Sequence, residues 1–200
     1  QACQQHSIKM LIVVASHQNP TTVVMSTSRR QAIARIVKKY SIWLVDDDVY
    51  GFLSPQLSPL SSFAPEQSFY LTSLSKSMLP GLRVGYLVSP VSFKQRIDAE
   101  IRNSIWMPVP LTLALASRLI YSGQALDIQR QQSQLAEQRQ RLAKRLLIGC
   151  DYMAQPNGYH LWLKLPKPWT SEAFSLKLEQ QGVLVSSADF FSTEHQTHTS

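Results

Sequence analysis

A strand–helix–strand pattern near the start of the 200-residue chain most restricts its fold. The apolar run Met10–Ala15 is rich in β-branched residues and is typical of a strand covered on both faces. Ser26 or Ser28 can cap a helix that runs to about Tyr40, and Ile42–Val45 predicts a second buried strand. Two strands joined by an amphipathic helix predict a parallel crossover and therefore an α/β fold.

The rest of the chain extends this architecture and adds a smaller unit. Further strands are predicted at Phe69–Thr72, Val84–Val88, His160–Leu165 and Val183–Ser186. Further helices are predicted at about Val91–Trp106, Leu111–Tyr121, Ala125–Leu147 and Ser171–Gln181. We expect residues 1–128 to form a partial large domain, with a mostly parallel sheet and helices on both faces. Residues 129–200 would form an interdomain helix and a partial small α+β domain.

The long helix predicted at Ala125–Leu147 carries Ile128, Leu135 and Leu142 at intervals of seven residues, among many Gln, Arg and Lys. This spacing favours a solvated helix that packs one narrow stripe against the body of the protein. A coiled-coil contact is the alternative.

Composition narrows the classes of partner. The formal net charge of +7 is scattered, and no nucleic-acid-binding motif accompanies it, so an anionic ligand or partner is the safer inference. No apolar run approaches the roughly 20 residues of a membrane span. Cys3 and Cys150 are isolated and the histidines lack metal-ligand spacing, so we expect a reducing, cytoplasmic setting and no metal. The first residues resemble neither a signal peptide nor a translation start, which suggests a chain entered partway.

Polar side chains follow or precede each of the first four predicted strands, at one edge of the sheet. Asn19 follows the first strand, Asp46–Asp48 the second and Ser73–Lys76 the third, while Arg83 precedes the fourth. In an open α/β sheet, ligands bind beyond the carboxyl ends of the strands. The sequence therefore predicts a ligand site at this edge.

Lys76 and Arg83 suggest what the ligand is. A lysine whose pKa is lowered by burial or by a nearby cation can form a Schiff base with an aldehyde, and an arginine can bind two phosphate oxygens. Ser73 and Ser75 add hydroxyl donors on the same turn. The alternatives are a solvated loop lysine and serines that only cap a turn. An aldehyde and a phosphate on one small molecule suggest pyridoxal 5'-phosphate (PLP).

The three consecutive aspartates allow three interpretations. One is a turn or helix cap, which accounts for one aspartate more easily than for three. Another is the metal carboxylate of a nucleotide hydrolase, but the chain has no GxxxxGK[ST] loop. In the third, one carboxylate pairs with the protonated pyridine nitrogen of PLP, and the Tyr50 phenol hydrogen-bonds a ring oxygen.

Three ordered motifs resemble those of the fold-type-I aminotransferases of class I and II. They are His17–Thr21, Asp47–Gly51, and Ser73–Lys76 with Pro80–Gly85, and the resemblance extends over about residues 8–190. Met25–Ser26 with Arg29–Arg30, and Tyr86–Pro90, are most similar to the aminotransferase-like domain of the MocR branch of GntR-type transcriptional regulators.

The resemblance implies a role for each residue of the predicted site. Lys76 would hold the cofactor as a Schiff base and shuttle a proton, and Asp47, three residues before Tyr50, would pair with the pyridine nitrogen. Asn19 and Tyr50 would bind the phenolic oxygen of the ring. The phosphate would be bound by Ser73, Ser75 and Arg83.

The implied reaction transfers amino groups between amino acids and 2-oxo acids in a cytoplasmic homodimer, without a membrane. The alternatives are a domain that senses PLP or an amino acid, with DNA bound only by an upstream domain, and a degenerate fragment. The chain departs from the family pattern at Thr22 and Asn157, where glycine is usual, and lacks the late arginine that binds the substrate carboxylate. We therefore expect this chain to be inactive by itself.

Overall fold

The computed structural model describes residues 2–192, so His195 and His198 lie outside the described part. The helices are α1 (Ala2–Gln5), α2 (Thr27–Tyr40), α3 (Leu74–Ser77), α4 (Lys94–Ile105), α5 (Pro110–Tyr121), α6 (Gln124–Leu146) and α7 (Ser171–Glu179). The strands are β1 (Met10–Val13), β2 (Trp43–Asp47), β3 (Ser68–Ser73), β4 (Gly85–Val88), β5 (Tyr152–Ala154) and β6 (Leu161–Leu163). Short 3-10 turns connect several of these elements.

The main sheet has the strand order β1-β2-β3-β4. The β1–β2 and β2–β3 pairs are parallel, whereas β3 and β4 are antiparallel, with Ser73 opposite Gly85. The predicted α/β fold with a mostly parallel sheet is thus confirmed. The antiparallel pairing also brings the start of β4 to the edge where β1, β2 and β3 end.

Helix α2 forms where the sequence supplies both its cap and its apolar face. The Ser26 hydroxyl accepts a hydrogen bond from the Arg29 amide, and Ser41 ends the helix in the left-handed conformation with φ of 50°. Ala34 and Val37 then pack with Leu44 of β2 in a buried cluster. The helix therefore covers one face of the sheet.

The opposite face is less covered than the sequence predicted. Phe93 packs edge-on against Trp43 and Phe69 on this face. Met10 and Ile12, however, are 48% and 69% exposed, so the expectation that both faces of β1 are buried is wrong for the described residues. The reason is that β1 is an edge strand and α2 covers only the side facing Leu11 and Val13.

The C-terminal part is a small α+β unit that differs from the prediction in two ways: one strand forms that was not predicted, and one predicted strand does not form. The unpredicted β5 pairs antiparallel with β6, and Met153 lies opposite Trp162. The predicted strand Val183–Ser186 does not form, although its residues lie beside helix α7. β5 is only three residues long, too short for alternation to reveal it.

Helix α6 packs a narrower stripe than its seven-residue repeat predicted. Ala125 and Ile128 belong to a cluster with Leu74 and Ala116, and Ala136 is also buried. Leu135 and Leu142 are 42% and 46% exposed, because small alanines rather than the leucines face the body. No helix among residues 2–192 is long and apolar enough to cross a membrane.

Candidate functional site

Strand pairing brings most of the predicted site residues to one edge of the sheet. Asp47 is the last residue of β2 and Ser73 the last of β3, and β2 and β3 run in parallel. Lys76 lies in the helical turn α3 directly after Ser73, and Arg83 lies two residues before β4. The site is therefore assembled from the ends of neighbouring strands.

The alternation of side chains along β2 separates the three aspartates. Asp46 and Asp48 are buried, whereas Asp47 is half-buried and lies on the other face of the sheet. Asp47 pairs with Leu71, so it shares that face with Ser73 two residues further along β3. The Val49 amide donates to Asp47 Oδ1 over 3.3 Å. Asp47 is thus the aspartate that can meet a ligand held by the Ser73 turn.

The other two aspartates face a buried arginine. Arg30 is 1% exposed, and its Nη2 donates to Ala15 O and Ser16 Oγ, both over 3.1 Å. Ser16 Oγ in turn donates to Asp48 Oδ1 over 2.6 Å, and the Ser61 amide donates to Asp46 Oδ2 over 2.8 Å. Burial raises the pKa of both carboxyl groups, and the nearby guanidinium opposes that rise. Asp46 and Asp48 therefore anchor the end of β2 on the sheet face opposite Asp47.

Tyr50 lies beside Asp47 and is 8% exposed. Burial raises the pKa of its phenol, and the Asp47 carboxylate raises it further. The ring meets Tyr159 and His160 edge-on, with centroids 6.0 and 5.6 Å apart. The phenol is therefore a neutral hydrogen-bond donor at the same edge as Asp47.

The remaining predicted donors are open to a ligand. Lys76, Arg83 and Asn19 are exposed, and Ser73 and Ser75 are half-buried. Within residues 2–192, none of these five side chains makes a hydrogen bond or ion pair with another protein group. Arg83 has a φ of 52°, so the chain turns sharply between α3 and β4 at this residue. Amine, guanidinium, amide and hydroxyl donors thus line one edge of the sheet.

The turn that carries Asn19 rests on a buried histidine. His17 is 2% exposed, and its Nε2 lies 3.0 Å from Ser54 Oγ. Burial and the neighbouring His160 lower the His17 pKa to about 4. Thr22, where the family commonly has glycine, has a φ of 64° and its amide donates to Gln18 O over 2.6 Å. The turn therefore keeps a left-handed residue without glycine.

Sequence reasoning missed the part played by residues 157–160, which we call the contact segment. It supplies hydrogen bonds to the Asn19 turn, to the loop after Tyr50 and to the Lys76 turn. Sequence reasoning assigned residues 157–162 only to a strand of the small unit. An aromatic and a histidine directly before an apolar strand were the available signal.

Residues 2–192 contain no group of three or more His, Cys, Asp or Glu side chains that could hold a metal ion. A cavity of about 610 Å³ adjoins the site between β6 and α7, and Asn19 and His160 line it together with apolar residues of the small unit. The site is thus a cluster of organic donors and carboxylates next to an apolar cavity.

Sequence comparison identifies relatives of the chain. It is 34% identical over 191 residues to the uncharacterized HTH-type transcriptional regulator YdeF of Bacillus subtilis (strain 168). The alignment covers 95% of this chain but 41% of that protein, so the chain spans less than half of this relative's length.

Structural comparison agrees on the fold. An archaeal alanine:glyoxylate aminotransferase superposes with a TM-score of 0.86 at 18% identity, over 98% of this chain and 51% of that one. The kynurenine aminotransferase of Pyrococcus horikoshii, solved in complex with PMP, superposes with a TM-score of 0.77 at 21% identity, over 91% and 47%. The family model for "Aminotransferase class I and II" matches residues 1–198, which confirms the predicted resemblance. The chain therefore belongs to the class I and II aminotransferase family.

Proposed function

We propose that this chain binds PLP at the carboxyl edge of its sheet, within a protein that transfers amino groups between amino acids and 2-oxo acids. One observation carries the proposal. Of three consecutive aspartates, only Asp47 lies on the sheet face of Ser73 and beside the buried Tyr50 phenol. A structural cap or a metal site does not require this separation of one carboxylate from the other two.

The residues present fit PLP in number and in chemistry. The unpartnered hydroxyls of Ser73 and Ser75 and the Arg83 guanidinium suit a phosphate, which needs several donors at once. Asp47 accepts one amide hydrogen bond on Oδ1, which leaves Oδ2 for a protonated ring nitrogen. Asn19 and Tyr50 offer an amide and a phenol to a ring oxygen.

When bound, PLP supplies an electron sink conjugated with the substrate nitrogen. Lys76 Nζ would hold the aldehyde carbon and then carry the proton that leaves the substrate α-carbon. The Asp47 carboxylate would keep the ring nitrogen protonated, because an adjacent negative charge favours the cationic form. Arg83, Ser73 and Ser75 would hold the phosphate and so orient the ring.

Replacement of Lys76 tests the proposal directly. Lys76→Ala in the complete gene product should abolish the visible absorbance of bound PLP, because no amine remains to hold the aldehyde. Lys144→Ala, an exposed lysine on α6, is the matched control and should keep that absorbance. Unchanged absorbance after loss of Lys76 would contradict the proposal.

A second function is favoured by the relatives. YdeF is named as an HTH-type transcriptional regulator, so the same site would serve as the effector domain of a regulator that senses PLP or an amino acid. The residues that bind PLP would then be the same, but the outcome of binding would be altered DNA affinity rather than turnover.

The proposal includes a homodimer in the cytoplasm, as the family resemblance implies. Sedimentation of the complete gene product would give its oligomeric state, and cell fractionation its location. A monomer by sedimentation would remove this part of the proposal without affecting the PLP site.

A further inference from the structure

The contact segment, residues 157–160, touches three loops that hold site residues. Asn157 Nδ2 donates to Leu53 O over 2.7 Å, in the loop after Tyr50. His160 Nε2 lies 3.2 Å from Gln18 O, next to Asn19. The Tyr159 hydroxyl donates to Lys76 O over 2.8 Å. One short segment of the small unit thus reaches the backbone after β1, β2 and β3.

The segment is held rigidly from its other side. Gln140 on α6 donates from Nε2 to Gly158 O over 2.8 Å and to His160 O over 3.2 Å. The Gly158 amide closes a turn onto Gln155 O over 3.0 Å. The tyrosine between them is therefore presented to the Lys76 turn from a fixed backbone.

The Lys76 carbonyl needs a partner from outside its own helix. The last four carbonyl groups of a helix receive no hydrogen bond from an amide of the same helix, and α3 is only four residues long. The amides of Met78 and Leu79 both bond Leu74 O, over 2.9 and 3.1 Å, and leave Lys76 O to Tyr159. The Tyr159 ring packs edge-on against Tyr50 and Phe52, with centroids 6.0 and 5.9 Å away.

We propose that Tyr159 is a positioning residue for Lys76: its hydroxyl fixes the Lys76 peptide so that Nζ is presented to the aldehyde of the cofactor. This inference rests on the proposed PLP function. Burial raises the pKa of the Tyr159 phenol, which keeps the hydroxyl protonated as a donor at neutral pH. Because the same ring contacts Tyr50, Tyr159 links the lysine turn to the phenol on the other side of the site.

Two forms of the cofactor separate positioning from general support. PLP has the aldehyde that a lysine can hold, whereas pyridoxamine 5'-phosphate has an amine in its place. In the complete gene product, Tyr159→Phe should weaken PLP binding about threefold to tenfold, the range for one lost hydrogen bond, and leave pyridoxamine phosphate binding unchanged. Tyr152→Phe, the same change in the same unit at a hydroxyl that bonds no group among residues 2–192, should alter neither.

A second measurement needs no cofactor. Hydrogen exchange of the amides at residues 74–79 should be about threefold to tenfold faster in cofactor-free Tyr159→Phe, because the turn loses its external hydrogen bond. If the Phe variant does not fold, 3-fluorotyrosine at position 159 makes the same comparison, since it keeps the ring and changes the acidity of the hydroxyl. Its ratio of PLP to pyridoxamine phosphate affinity should then differ from that of wild type.

Equal weakening of both cofactor forms would show a merely structural role and overturn the proposal, as would no change in either. The proposed function fails by a different result, namely visible absorbance of bound PLP that is unchanged in Lys76→Ala. Loss of that absorbance in Lys76→Ala together with unchanged PLP affinity in Tyr159→Phe would reject only the positioning role.

Discussion

At the scale of single residues, the burial of His17 makes the stability of the fold depend on pH. The pKa of His17 is lowered from 6.5 to about 4, so the folded protein keeps this imidazole neutral where the unfolded chain binds a proton. Between these two pH values the unfolded state therefore holds more protons, and the free energy of unfolding falls as the pH is lowered. Below pH 4 both states are protonated at this residue and its contribution levels off.

We expect His17→Gln to remove this dependence. Between pH 7 and pH 4 the wild type should lose about 3 kcal/mol of unfolding free energy relative to the variant. Urea denaturation at several pH values measures the difference. Comparison with the variant is needed because burial also raises the pKa of Asp46 and Asp48. These raised pKa values make the free energy of unfolding rise as the pH is lowered, opposite to the effect of His17. The exposed His6→Gln should leave the pH profile unchanged.

At the scale of elements, Arg30 joins helix α2 to the strands behind the site. Besides Ala15 O and Ser16 Oγ, its guanidinium donates to Met25 O and to Ser58 O, each over 3.0 Å. One buried side chain thus connects the helix start, the end of β1 and the loop after Tyr50. It also offsets the charge of the two buried aspartates.

Arg30→Met should therefore be strongly destabilising. Loss of the cation leaves buried carboxyl groups and carbonyls without their partner, a change that costs about 3–5 kcal/mol. The midpoint of urea unfolding measures the loss, and the neighbouring exposed Arg29→Met is the matched control. A loss below about 1 kcal/mol for Arg30→Met would show that water replaces the guanidinium.

At the scale of the whole molecule, the chain contains all the residues of the predicted site but spans only about half the length of its relatives. It covers 41% of YdeF and about half of the solved aminotransferase chains. One sheet face exposes Met10, Ile12 and Leu87, at 48%, 69% and 40%. Apolar patches of this kind are normally covered by further structure.

DNA binding decides between the two proposed functions. If the complete gene product is a regulator, it should bind double-stranded DNA, with an affinity that falls steeply as salt is raised. Addition of PLP should change that affinity in the wild type and not in Lys76→Ala. An enzyme would instead show steady turnover of an amino acid with a 2-oxo acid and no such DNA binding.

Much of this fold could be predicted because its signals are local. The start of α2 at Ser26, the runs of β1 and β2 and the long α6 follow from capping residues and periodicity within one element. Arg30 shows the limit of such reasoning. It lies four residues before Ala34 and seven before Val37, and all three are on the buried face of α2. A charged residue is nevertheless predicted to face solvent until its hydrogen-bond partners on other elements are known.

The sequence by itself determined the order of the elements and the types of polar side chain at each strand end. The strand predicted at Ile42–Val45 ends before the three aspartates, so the alternation that turns Asp47 away from Asp46 and Asp48 became visible only in the structure, where β2 extends to Asp47. The tertiary structure alone decided which loops meet. Tyr159 is 83 residues from Lys76, and Asn157 is 104 from Leu53, and no periodicity spans such distances. Those contacts depend on how the small unit docks against the sheet, which is a property of packing and not of local sequence.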